Sequence, residues 1–421
     1  MNQTSFASKI HYVLILCFVF TMPFSFGDVQ LNNFIIILLG INWVWYLIIS
    51  KREGKSRFSG MMVLFISVFL MNLLGMVRTD NWHQAFFDLE KKVSLLIFPI
   101  MLYYSAKPDK TKVNIILIVF VISCLLTALT CLTIATYHYL LRGDSSFYFY
   151  HKLSGIAGMH AAYLAMYFCF SLAILANFRF EGLSQLIIRN SVLYYCSLAL
   201  LIVSVFLLAG RTHIVLVILG GVGYFAFKIN QKFGIWRSMA AATALGVLFI
   251  GIVMLFPVNR ERFREAFNYG DEFDAGKRWG ERQMRLLIWD CAFKLFMAHP
   301  VIGVGTGDTQ DELQDCYIEN EYTPLTYSDS TRFNAHNQFL ETVIEFGCVG
   351  LIIFLTNFYF SIKLAFKERN SLYLIFVVLF ILSCITESLL ERRSGIVFFA
   401  FFNSFLFFTH TDDSKVNKPT K

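Results

Sequence analysis

The sequence predicts an all-α polytopic membrane protein, and three observations predict it. Hydrophobic residues make up 57% of the 421 and charged residues only 15%, whereas a soluble domain is about half apolar and about a quarter charged. The apolar residues fall into long unbroken runs, rich in Phe and Tyr. One long polar stretch, 258–336, interrupts them late in the chain. Together these exclude a disordered chain, a coiled coil and an ordinary cytosolic enzyme.

A helix that crosses a bilayer needs about 17–25 apolar residues, somewhat fewer where flanking side chains reach the interface. Twelve runs are candidates: 10–26, 31–50, 58–76, 93–106, 113–136, 160–177, 191–209, 214–228, 238–257, 345–366, 371–388 and 396–408. The fourth, eighth and twelfth are short, so one of them is expected to tilt or re-enter. Lys9 precedes the first run, as in a signal peptide, but no small-x-small cleavage site follows and the second run starts at once. An uncleaved first helix is expected.

Orientation follows from the Lys and Arg of the short loops. They crowd into one alternating set, which holds Lys9, the Lys51–Arg57 loop, Lys107, Lys110 and Lys112, and the basic tail. Both termini are therefore expected in the cytoplasm of a multi-pass inner-membrane protein. The expected division is 1–257 with nine transmembrane helices, 258–336 as a large helical periplasmic loop, 337–408 with three more helices, and 409–421 as a cytoplasmic tail.

The net charge of +7 is spread over short loops, and no basic arm or RNA-binding signature occurs. No nucleic-acid partner is expected. The cysteines lie mainly inside apolar runs and form no CxxC pair, so zinc and thioredoxin chemistry are unsupported. Cys291 and Cys316 fall in the polar stretch, where they can pair.

Almost no ionisable residue lies in the middle of a run. Ion-coupled transporters usually need such residues near the bilayer centre. The polar candidates gather instead at the outer ends of the runs, which points to chemistry at the outer membrane–water boundary. The first is Arg211, in the very short turn Leu208-Ala209-Gly210-Arg211-Thr212. Two readings stand: an interfacial Arg with its stem in lipid and its head in water, or a planar, permanently charged clamp for phosphate.

The second candidate lies in the polar stretch. From Arg278 to Ala298 the pattern is helical. Arg278, Arg282, Arg285 and Trp289 share one face, with Met284, Leu287, Ile288, Cys291 and Leu295 opposite. The helix is expected to end at His299-Pro300. This stripe is either a solvated face or an anion-binding one. The glycine-rich Gly303–Asp308 that follows lacks the preceding strand of a nucleotide loop, and a tight turn packed on its neighbours is expected.

The third candidate is Asn334-Ala335-His336-Asn337-Gln338-Phe339-Leu340-Glu341, leading through Glu345-Phe346-Gly347 into the tenth run. Asn334 can cap a helix there. His336 then lies near the N-terminus of that helix. A lone His is most often structural, but a neutral imidazole at such a place can act as a general base. Glu341 and Glu345, read as solvated on the other face, are the alternatives.

Three segments together resemble the O-antigen ligase and polymerase superfamily. They are Arg211-Thr212 opening an apolar run; Arg285-x3-Trp289 leading to Pro300-Val301-Ile302-Gly303-Val304-Gly305; and His336 through Glu341 with Glu345-Phe346-Gly347-Cys348-Val349-Gly350. The resemblance covers about residues 195–365 and extends to the twelve-span plan and the late outer loop. Gly210 departs from the Ser more common before that Arg. The resemblance implies a GT-C-like, metal-independent, inverting glycosyltransferase without a cofactor. Its donor would be a glycan on undecaprenyl diphosphate and its acceptor lipid A core or another glycan, met at the periplasmic face among membrane lipids.

Placed on that chemistry, His336 is the candidate base for the acceptor hydroxyl. Arg211 and Arg285, with Arg282 as helper, are candidates for the diphosphate. A ligase is the expected function. A polymerase of the same superfamily is the near alternative, and a lipid-glycan transporter the alternative from another class.

Overall fold

A computed structural model describes residues 3–24, 31–50, 60–105, 107–180, 190–255, 260, 281–326 and 332–410. The helices are α1 (Gln3–Thr21), α2 (Leu31–Ser50), α3 (Gly60–Gly75), α4 (Trp82–Lys92), α5 (Ser94–Tyr104), α6 (Lys110–Arg142), α7 (Tyr150–Ile156), α8 (Ala161–Phe180), α9 (Ser191–Leu207), α10 (Arg211–Phe233) and α11 (Ile235–Leu255). There follow α12 (Glu281–Ala298), α13 (Thr309–Glu319), α14 (Thr323–Thr326), α15 (Gln338–Lys367), α16 (Ser371–Cys384) and α17 (Arg393–His410). Among the described residues there is no strand.

Each of the twelve apolar runs overlaps a helix. Among the described residues seven helices are long and apolar enough to cross a membrane: α1, α2, α3 with its short 3-10 extension, α6, α8, α10 and α15. The helices α9, α16, α17 and the Ile235–Leu248 part of α11 are apolar but shorter. The composition leaves little choice. In lipid every backbone N–H and C=O must find a partner within the protein, and a helix supplies one within each segment.

The chain divides into two compact units. The first comprises Met1–Met22, Asp28–Phe120 and Arg285–Lys421; the second comprises Pro23–Gly27 and Val121–Met284. Two of the boundaries fall inside α6 and α12.

In the first unit α1 packs on α2, and α17 packs on α5 and α16. The helix α15 packs on α16 and α3. Phenylalanine fills the core between them. Phe18, Phe98 and Phe401 meet with ring centroids 5.0–5.4 Å apart, and Phe376, Phe380 and Phe399 stack nearby. Offset and edge-on ring pairs of this kind add to the area that large rings bury. In the second unit α8 packs on α7, α9 and α10, and α10 on α11.

The helix α15 is broken at Gly347, whose φ of 62° and ψ of −160° are not helical. Such a break strands carbonyls before it and N–H groups after it. The turn after α12 satisfies both sets. Val304 and Gly305 donate their N–H groups to the Ile344 and Glu345 carbonyls, at 2.9 and 3.0 Å. In return Cys348 and Val349 donate to the Pro300 and Val301 carbonyls, at 2.9 and 3.1 Å. The approach is so close that a Cβ on Gly347 would lie 2.3 Å from the Val301 carbonyl carbon. The glycine-rich stretch is thus a tight turn locked into a broken membrane helix.

Beside it, α12 ends at Ala298, just before His299-Pro300. It is tied to α13 by a disulfide between Cys291 and Cys316, with the Cα atoms 5.8 Å apart. Closing a loop of 25 residues stabilises the fold by about 3 kcal/mol on chain-entropy grounds. The Cys291→Ser, Cys316→Ser double variant is therefore expected to melt lower than the parent in non-reducing detergent. The two are expected to converge when the parent is reduced. Equal melting before reduction would contradict the bridge.

Candidate active site

The site is built on the N-terminus of α15. Asn337 is its N-cap: extended at φ −158°, it accepts from the N–H groups of Phe339 and Leu340 at 2.9 and 3.1 Å. Asn334, the cap expected from the sequence, lies one bend earlier and accepts from the His336 N–H at 3.1 Å. The nearer Asn takes the helix because only its side chain reaches the first free N–H groups. Between the two, His336 adopts a left-handed φ of 46°. A residue with a side chain resists that conformation, and the surrounding bonds must hold it there.

Those bonds run to the segment between α16 and α17. Asn337 Nδ2 donates to the Ile385 carbonyl at 3.1 Å. Gln338 Oε1 accepts from the Leu390 N–H at 2.6 Å. Glu341 Oε2 accepts from the Ala335 N–H at 2.8 Å and from the Ser388 hydroxyl at 3.0 Å. The polar residues of the His336–Glu341 motif thus fasten residues 385–391 across the site.

Glu341 and Glu345 are each 4% exposed, which corrects the expectation that they are solvated. Glu341 is held by the two bonds just described, and Glu345 is buried against Lys92, itself 2% exposed, which sits 3.3 Å from Glu345 and 3.1 Å from Glu391. Burial alone would depress the Lys92 pKa. The carboxylates of Glu345, Glu391 and Asp88 outweigh it and raise that pKa, so the ammonium stays charged. Beside this cluster a polar cavity of about 140 Å³ is lined by Gln310, Asn334, Glu341 and Arg392 among others.

At the front of the site one carboxylate serves two partners. Glu387 Oε2 lies 3.4 Å from His336 Nδ1, and its Oε1 lies 3.8 Å from Arg285 Nη2. All three side chains are partly exposed, His336 at 27%. With Nδ1–H donating to the carboxylate, Nε2 keeps its lone pair free for a proton. The other motif residue of α12, Trp289, donates from Nε1 to the Ala335 carbonyl at 3.0 Å. The Arg285-x3-Trp289 spacing therefore places both side chains against the His336 segment, one through Glu387 and one directly.

Arg282 lies in the first turn of α12 and its side chain is outside the described residues, as is Arg278. Arg211 belongs to the second unit, where it is the first residue of α10. The turn before it also carries a strained residue, Ala209 at φ 50°. A Cβ on Gly210 would lie 3.2 Å from His213 Nδ1, so even a small side chain there would press on that ring.

Glu387 and Lys92 escaped the sequence reading. The run 371–388 absorbed Glu387, whereas α16 ends at Cys384. A carboxylate at the end of an apolar run was the available signal. Lys92 read as one more basic residue of a short loop, although it ends the amphipathic α4.

Fold and site define a helical, multi-pass membrane protein with a His–Glu–Arg group at one end of its first unit. Residues 196–355 match the family described as O-antigen ligase. Over that part the chain is similar to the O-antigen ligase and polymerase superfamily. The matched region contains Arg211, Arg285 and His336 but neither Lys92 nor Glu387. No curated relative matches the chain.

Proposed function

We propose that the protein is an O-antigen ligase. It transfers a glycan from undecaprenyl diphosphate to lipid A core at the periplasmic face of the inner membrane, with inversion and without a metal. The observation that carries this reading is the His336–Glu387–Arg285 group, joined on a motif of the matched family. In it His336 Nε2 removes the proton of the acceptor hydroxyl as that oxygen attacks the anomeric carbon. Glu387 holds the ring and balances the positive charge it gains. The bond from the anomeric carbon to the diphosphate breaks, and the lipid diphosphate leaves with the electron pair. Arg285 stabilises the growing negative charge, with Arg282 as helper.

Arg211 is given the same role on its motif rather than on a distance. Twelve spanning helices in a GT-C-like arrangement would set both arginine motifs at the membrane edge, where a lipid diphosphate lies. The apolar outward residues of α12 fit that level: Leu286, Phe293 and Met297 are 52%, 60% and 60% exposed. They recur at helical spacing and suit contact with lipid.

Arg285→Ala and Arg211→Ala are each expected to slow transfer by about 10²–10³-fold. Lysine at either place should restore little, because a point charge does not replace a bidentate fork. Initial rates with purified lipid-linked donor check this, and a fully active Arg→Lys variant would refute the bidentate contact. The function itself is tested by deletion in the source organism, with lipopolysaccharide resolved on a gel and lipid-linked intermediates extracted in parallel. Bare core with long glycans stranded on undecaprenyl diphosphate is the result expected of a ligase. Core bearing one repeat unit would mean a polymerase, and an unchanged ladder would remove lipid A core as acceptor.

A further inference from the structure

At the opposite end of the first unit from His336 lies a second cavity, of about 170 Å³. It opens where the N-terminal part of α1, the C-terminal ends of α2, α5 and α17, and the start of α6 meet. Its volume would hold about five waters, but its lining is divided in a way that water does not need. The mouth carries Lys9, Lys107 and Lys112 with Tyr12 and Ser105, and the floor is Ile15, Leu102, Ile116 and Phe405.

Among the described residues that line it, the mouth carries three lysines and no carboxylate. Among the described residues the facing anion is Asp109, which is 3.3 Å from Lys112 and largely exposed. It also accepts from the Lys112 N–H at 2.8 Å, closing the first turn of α6. A second feature is independent of charge. The Tyr12 hydroxyl is buried yet has no hydrogen-bond partner among the described residues, and the Lys112 ammonium lies 5.9 Å over the same ring. A buried hydroxyl without an acceptor is uncommon in a folded protein. Here it stands beside an ammonium, where an anionic oxygen would satisfy both.

We propose that this cavity binds the phosphodiester headgroup of an anionic membrane lipid, with the start of an acyl chain on the apolar floor. The three lysines take the phosphate charge, Tyr12 donates to one of its oxygens, and the floor excludes a fully hydrated ion. Basic pockets between helices, on the side where Lys and Arg collect, are suited to such headgroups. The assignment is independent of the glycan chemistry at the other end of the unit.

The test is native mass spectrometry of the full chain, titrated with phosphatidylglycerol and separately with phosphatidylcholine. Saturable retention of phosphatidylglycerol, little of phosphatidylcholine, and no competition by inorganic phosphate is expected. The Lys107→Gln, Lys112→Gln double variant should weaken that retention by about 30-fold, at roughly five-fold for each lysine. Lys107→Arg, Lys112→Arg should keep it. Leu102→Trp, which fills the floor and leaves the lysines in place, should lose it, and thermal melting of each variant reports its folding. Equal retention by the Gln variant and the parent would overturn the proposal. Displacement by inorganic phosphate would overturn it in favour of a free-anion site.

Discussion

His336→Ala is expected to abolish glycan transfer while the protein still inserts and folds. General-base catalysis contributes about 10²–10⁴-fold to a rate, and the lost side chain is partly exposed, so folding should survive. The neighbouring variant sharpens the point. Glu387→Gln keeps the shape of the contact 3.4 Å from Nδ1 but removes the charge that steadies the imidazolium. It should lower kcat by about two orders of magnitude with KM near that of the parent. Initial rates over a range of donor concentrations measure both, and near-normal turnover of His336→Ala would end the general-base assignment.

Lys92→Met is expected to have the largest effect on stability. Lys92 is 2% exposed and stands between Glu345 and Glu391 at 3.3 and 3.1 Å. Removing one partner of a buried pair costs about 3–5 kcal/mol, because the other charge is left without compensation. The sign with pH follows from the raised pKa of the lysine. Its contribution is complete below about 10.4, the usual value for an unfolded lysine, and fades only as pH rises through the folded value. Acidification therefore does not mimic the variant through Lys92 itself. Melting temperature in detergent is the measurement. Adding Glu345→Gln to Lys92→Met should recover part of the loss, and a single variant that melts with the parent would show that the pair does not hold the fold.

Most of the helical framework is legible in the sequence. A run of some twenty apolar residues has one stable conformation in lipid, and that constraint needs no knowledge of neighbours. The end of α12 is legible for a local reason too, since Pro300 cannot continue the helix. The site is legible only in part. Arg285, Trp289 and His336 announce themselves by motif, and the structure adds why they travel together: Trp289 holds the carbonyl next to His336.

Glu387 lies 51 residues from His336 and meets it through the return of the chain after α16. No local pattern encodes that return. The buried state of Glu345 was hidden likewise, because its partner Lys92 comes from α4, more than two hundred residues earlier, and Glu341 meets Ser388 only through the same return of the chain. The choice of Asn337 over Asn334 turns on a shift of three residues, within the usual uncertainty of a helix boundary read from sequence.

The break at Gly347 also has a meaning for biogenesis. A nascent helix with such an interruption would enter the bilayer carrying bare carbonyls and amides, each costing several kcal/mol in hydrocarbon. The groups that relieve it belong to residues 300–305, which leave the ribosome before α15 does. Vectorial synthesis thus delivers the complement first. The earlier stretch must wait until its partner helix arrives, so the two are expected to become protease-resistant in a single step during insertion.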